Sequence, residues 1–178
     1  SGAATRYNKA DLKIKDVLKY WKTILKSSCI GTFIGAVPGT GAAISSFLAY
    51  NEAKRASKEP ETFGKGNIEG VIASETANNA VTGATLIPLL TLGIPGDSVT
   101  AILIGALMMQ GIVPGPTLFT ENVYWVYAIM GGLLIVNILM FFEGKFFCRF
   151  FVNVTKIPVN VLIALIMVLC VLGSFAVN

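Results

Sequence analysis

Two short runs of this sequence hold the residues best suited to gripping a charged solute. The first is Val37-Pro38-Gly39-Thr40-Gly41 and the second is Gly93-Ile94-Pro95-Gly96-Asp97-Ser98-Val99-Thr100, each set inside a long apolar stretch. Proline removes a backbone donor from a helix and a following glycine lets the chain turn, so both runs interrupt helices. A helix that restarts after such a break presents free N–H groups and the positive end of its dipole, which favour an anion. Pro38, Gly39, Thr40 and Gly41 at the first break, with Gly96, Ser98 and Thr100 at the second, are therefore the candidate substrate-binding residues. Asp97 is the only acid deep in an apolar stretch, and it supports two readings. A carboxylate at membrane depth is costly and marks a group that coordinates a coupling cation or carries a proton. Placed directly after Pro95 and Gly96, it equally suits the N-cap of the helix that begins there.

A further polar run, Glu75-Thr76-Ala77-Asn78-Asn79-Ala80, leads into the second apolar stretch. The amides of Asn78 and Asn79 suit a carboxylate, or Na⁺ through their carbonyl oxygens, with Glu75 balancing the cation. As a plainer alternative, Asn and Thr at the start of a helix are ordinary caps. Other chemistry is excluded by residue type. The chain has no histidine, which removes histidine metal ligands, catalytic triads and proton relays. Cys29, Cys148 and Cys170 are too far apart for a CxxC pair, so neither a zinc site nor a disulfide framework is implied. Gly64-Lys65-Gly66 lacks the rest of a phosphate-binding loop. With no nucleophile and base to pair, the expectation is that the chain is not an enzyme.

The elements that must hold these residues are membrane helices. Of 178 residues, 54% are hydrophobic and 13% charged, with a mean hydropathy of +0.70; soluble domains carry about 25% charged residues. Four apolar stretches follow one another: 27–50, broken at Pro38; 80–109, broken at Pro95; and the uninterrupted 123–142 and 159–177. The last two have about the 20 residues a bilayer helix needs. Ahead of them, residues 1–26 form a basic segment in which Ile14, Val17, Leu18, Trp21, Ile24 and Leu25 share one helical face, as expected of an amphipathic helix in the headgroup layer. No RNA- or DNA-binding motif accompanies this basic segment, so nucleic acid is not an expected partner. Residues 51–79 read as a polar cytoplasmic loop, and 27–178 as the membrane domain.

Cations set the topology. The net charge of +4 comes from 14 Lys and Arg against 10 Asp and Glu. Seven of the 14 cations precede residue 27, four lie at 54–65 and three at 145–156. Four simple crossings would place seven cations on each side, against the positive-inside tendency. If 27–50 instead enters and returns as a re-entrant hairpin, all 14 fall on the cytoplasmic side. Its two arms of about 11 residues would each reach roughly 16 Å, half of a bilayer. The small residues Gly31, Gly35, Gly39, Ala42, Ala43, Ser45, Ser46 and Ala49 suit close helix packing. The expected fold is thus an all-α membrane protein: an interfacial helix, a re-entrant hairpin, a broken transmembrane segment and two full transmembrane helices. Two interrupted segments in one membrane chain point to a transporter binding site. A channel-like or scaffold subunit of a membrane complex is the alternative.

Five motifs in order, Gly35-Ala-Val-Pro-Gly-Thr-Gly-Ala42, Phe63-Gly-Lys-Gly-Asn-Ile-Glu-Gly70, Glu75-Thr-Ala-Asn-Asn-Ala80, Leu92-Gly-Ile-Pro-Gly-Asp97 and Gly111-Ile-Val-Pro-Gly-Pro116, resemble the large membrane subunit of the tripartite tricarboxylate transporters. The resemblance covers about residues 28–175, and the chain looks like a later part of that longer subunit. It implies a multi-pass permease of the bacterial inner membrane that imports tricarboxylates or related organic acids by secondary active transport. The implied driving force is a gradient of Na⁺ or H⁺, with no other cofactor. The implied partners are a small membrane subunit and a periplasmic solute-binding protein. In that setting Pro38 to Gly41 and Pro95 to Ser98 map onto the family's two motif positions, and Glu75, Asn78 and Asn79 onto its polar run.

Overall fold

The computed structural model describes residues 14–151 and 157–177. The order is α1 (Ile14–Leu18), α2 (Trp21–Gly35), α3 (Gly41–Ala56), a 3-10 turn (Pro60–Thr62), α4 (Ile68–Ala84), α5 (Leu86–Leu92), α6 (Ser98–Met109), α7 (Leu118–Glu121), α8 (Val123–Phe151) and α9 (Val159–Val177). No strand occurs among the described residues, in keeping with the all-α expectation. The chain falls into two units, residues 1–127 and 128–178.

The first unit is organised by small residues. Ser27, Gly31 and Gly35 on α2, Ser45, Ala49 and Ala53 on α3, and Ala73, Ala77, Val81 and Ala84 on α4 are all buried. A spacing of three or four residues keeps each set on one helical face, and the absence of bulk lets backbones approach closely. A Cβ on Gly31 would stand 2.4 Å from the carbonyl oxygen of Ala77, and one on Gly35 would stand 2.7 Å from the Cβ of Ala84. Those pairings run in the same direction along both chains, so α2 and α4 are parallel. Helix α3 returns between their ends: Ser46 Oγ donates to the Ser74 carbonyl at 3.3 Å. Tyr50 meets Phe63 edge-on at 5.4 Å, and both rings press on Gly70.

Three expectations are corrected. The amphipathic helix expected within the basic segment 1–26 is not one element: its described part breaks at Lys19 and Tyr20, and α2 then runs from Trp21 past residue 27 without interruption. No breaker separates these residues, and the small-residue face extends through Ser27. Residues 1–13 lie outside the described residues. The hairpin arms are accordingly 15 and 16 residues long, or about 22–24 Å at the helical rise, not 11 residues each. Most of the stretch read as a polar loop, 51–79, is helical. Helix α3 continues to Ala56, and α4 starts at Ile68 because the Asn67 side chain accepts from the Glu69 amide at 2.7 Å. Its charges do not mark a loop: Glu69 and Glu75 belong to α4 and leave its Ala and Gly face free to pack.

The second break falls where expected, between α5 and α6. Helix α8 has 29 residues against the 20 expected at 123–142, and α9 coincides with 159–177. One helix among the described residues is long and apolar enough to cross a membrane, Val123–Cys148, and it is almost wholly exposed. Ser98–Met109 and Val159–Phe175 are shorter apolar helices.

Candidate functional site

The structure joins the two helix breaks. At the first, Gly39 and Gly41 have φ of 82° and 72°, the left-handed region that glycine enters at little cost. Two such residues around Thr40 let the chain leave α2 and reverse into α3. The Thr40 hydroxyl donates to the carbonyls of Ile34 at 2.6 Å and Val37 at 2.9 Å, closing the end of α2. It therefore does not cap α3, whose first amides receive no side-chain acceptor from the N-cap position.

At the second break, Gly93 ends α5 with a φ of 68°, its amide donating to Leu89 at 2.9 Å while Ile94 donates to Pro88 at 3.3 Å. The bond from the Gly93 amide to the carbonyl four residues back is that of the αL type of helix stop. The chain then turns so that the Gly96 carbonyl accepts from the Gly39 amide at 2.9 Å. Gly96 is buried on Thr85, the joint between α4 and α5; a Cβ there would lie 2.9 Å from the Thr85 methyl carbon. The breaks, 57 positions apart in sequence, thus share one backbone hydrogen bond and rest on the end of α4.

The two restarting helices differ at their N-termini. Helix α6 supplies its own anion: Asp97 Oδ1 accepts from the Thr100 amide at 2.8 Å and from the Thr100 hydroxyl at 2.7 Å, while the Asp97 amide donates to that hydroxyl at 2.9 Å. This reciprocal box satisfies amides that a solute would otherwise meet. The N-cap reading of Asp97 is therefore realised, and Thr100, 4% exposed, is turned into the cap. Ser98 remains exposed, as do Pro38 and Gly39, while Thr40 and Gly41 are half-buried. At α3 the amides are left without such a carboxylate.

Glu75, Asn78 and Asn79 sit lower on α4. Asn79 Nδ2 donates to the Glu75 carbonyl at 3.1 Å, and the exposed side chains of Glu75 and Asn79 share the face away from α2. Along the helix axis Asn79, Asn78 and Glu75 are about 9, 10 and 15 Å before Thr85. They form a polar track leading toward the breaks, not a shell around them.

A third proline-glycine run joins this region. The Gly115 amide donates to the Leu90 carbonyl at 3.1 Å, and Gly93 faces the Pro114 carbonyl so closely that a Cβ would lie 3.0 Å from it. Thr85 and Pro114 were not among the candidate residues. The recurrence of Pro-Gly at 113–116 was the available signal for the second of them.

A model described as "Tripartite tricarboxylate transporter TctA family" matches residues 2–178. The "Uncharacterized 52.8 kDa protein in TAR-I ttuC' 3'region" of Agrobacterium vitis is 33% identical over 178 residues, covering 94% of this chain and 36% of that protein. The "Uncharacterized protein in TAR-II ttuC' 3'region" of the same organism is 37% identical over 148 residues, covering 83% of this chain and 61% of that protein. The chain therefore spans about a third of the one and three-fifths of the other. No solved structure matches.

Proposed function

The chain belongs to the tripartite tricarboxylate transporter TctA family, and from that membership we propose that it is part of the permease subunit that moves an organic acid across the bacterial inner membrane. Tricarboxylates and related organic acids are the substrate class, a gradient of Na⁺ or H⁺ is the driving force, and the chain is multi-pass. A small membrane subunit and a periplasmic solute-binding protein complete the transporter.

The observation that carries this reading is the Gly39–Gly96 hydrogen bond, which holds two broken segments together beside the uncapped N-terminus of α3. Free helix amides at a break are an anion site of the kind transporters place between discontinuous helices. In the proposed site a substrate carboxylate meets the amides that follow Thr40, with Gly39 and Gly41 keeping side chains out of its way and Ser98 offering a hydroxyl. Asn78, Asn79 and Glu75 form the cation side of the path. Asp97 holds its carboxylate on the N-terminus of α6, bonded to Thr100.

Asp97→Asn separates the two roles of that residue. The amide oxygen still accepts from Thr100, so the expected result is intact membrane insertion and uptake within about threefold of the parent. Asp97→Ala removes the acceptor and costs about 1 kcal/mol of helix stability. Loss of gradient-driven uptake in a well-folded Asp97→Asn protein would transfer cation coupling to this carboxylate.

The direct test is uptake of labelled di- and tricarboxylates by the full-length protein with its two partners, under Na⁺ and proton gradients imposed separately. Saturable accumulation of at least one acid under one gradient is expected. Equilibration without accumulation would make the protein a channel, and no flux at all would leave it a scaffold.

A further inference from the structure

A groove of about 650 Å³ runs between α2 and α3, from Lys26 and Arg55 to Ile34 beside the first break. One end, its mouth, holds Lys26 from α2 and Arg55 from α3; toward the other end the lining is Ile30, Phe33, Ile34 and Leu48. We propose that this groove is a binding site for an anionic phospholipid, headgroup at the mouth and one acyl chain along the helices. The inference rests on the proposed membrane permease and on the re-entrant hairpin expected from the sequence, but not on which solute is carried.

Charge and geometry support one occupant. Glu52 gathers both cations: Lys26 Nζ pairs with its Oε1, and Arg55 donates from Nε at 2.8 Å and from a terminal nitrogen at 2.9 Å. The trio carries a net positive charge. An ammonium has three N–H donors and a guanidinium five, so after these bonds both groups keep donors to spare. Their side chains are 52% and 78% exposed. A phosphate at this mouth would meet two cations whose positions the shared carboxylate has already fixed. From Lys26 to Phe33 the helix advances about 10 Å, and the lining changes over that distance from charged to apolar, with Phe33 itself 73% exposed. That gradient matches a phospholipid from its phosphate into its chain. A free organic acid has no use for the apolar half, and an apolar helix has none for the cations.

Cys29 lies in the groove lining and provides the reporter. The full-length protein, with its other cysteines replaced, is labelled with bimane at Cys29 and reconstituted into phosphatidylcholine vesicles containing brominated phosphatidylglycerol or brominated phosphatidylcholine. Each cation near an anionic membrane surface contributes about 1 kcal/mol. Phosphatidylglycerol is therefore expected to reach half-maximal quenching at a mole fraction on the order of tenfold lower than phosphatidylcholine. In Lys26→Gln/Arg55→Gln the two lipids should quench alike, whereas Lys54→Gln, exposed on the same helix but outside the groove, should behave as the parent. Equal quenching by both lipids in the parent overturns the site, as does an equal loss of preference in Lys54→Gln. Quenching by neither lipid refutes the membrane placement of the hairpin instead.

Discussion

Gly96→Ala is expected to lower uptake by the full-length transporter on the order of tenfold to a hundredfold while leaving the amount of inserted protein nearly unchanged. A Cβ at Gly96 would stand 2.9 Å from the Thr85 methyl carbon, 3.0 Å from its Cβ and 3.4 Å from its Cα. Overpacking of this kind costs about 1–3 kcal/mol, and the strain is relieved most directly by moving the 94–97 turn off α4. That movement carries the Gly96 carbonyl away from the Gly39 amide and separates the breaks. Thr85→Ala removes the nearest atom but not the Cβ behind it, so Gly96→Ala/Thr85→Ala should recover part of the lost activity. Uptake measured across this double-mutant cycle reads the coupling directly. Independent, additive losses, or parental uptake by Gly96→Ala, would mean that contact between the breaks has no part in transport.

Both breaks were legible because Pro-Gly has a local consequence: α2 ends at Gly35 and α5 at Leu92, each within three residues of the proline that follows. The Asp97–Thr100 box was half legible, since an acid directly after Pro95 and Gly96 suits an N-cap, yet the sequence leaves that role level with ion coupling. What joins the site was not legible. The Gly39–Gly96 bond links backbone groups 57 positions apart, and backbone groups carry no residue-type signature. The polar stretch 51–79 conceals its helices for a different reason. Charge density suggested a loop, but the buried positions Gly70, Ala73, Ala77, Val81 and Ala84 follow helical spacing, and small residues give little hydrophobic contrast to reveal it. The same weakness hid the reach of α2, whose packing face is marked by Ser27, Gly31 and Gly35 and not by large apolar side chains.

Those small residues also determine where the site can be. Helices α2 and α4 end side by side only because their backbones touch at Gly31 and Gly35; that register brings the first break level with Thr85, on which the second break rests. Gly31→Val is accordingly expected to have the largest effect on folding of any single substitution in the first unit. Its Cβ would lie 2.4 Å from the Ala77 carbonyl oxygen and 3.0 Å from the Ala77 Cα, backbone atoms that have no rotamer to yield. The helices must part, exposing buried Ala77, Val81 and Ala84, and the expected loss is at least about 3 kcal/mol. Thermal unfolding in detergent, read by tryptophan fluorescence, should show the transition lowered by many degrees, with a matching fall in inserted protein. Gly83→Ala supplies the contrast. It lies on the same α4, with nothing within 4 Å of an added Cβ, and there alanine should stabilise the helix by up to about 1 kcal/mol. If Gly31→Val unfolds no more easily than Gly83→Ala, then α2 does not lie against α4, and the meeting of the two breaks loses its support.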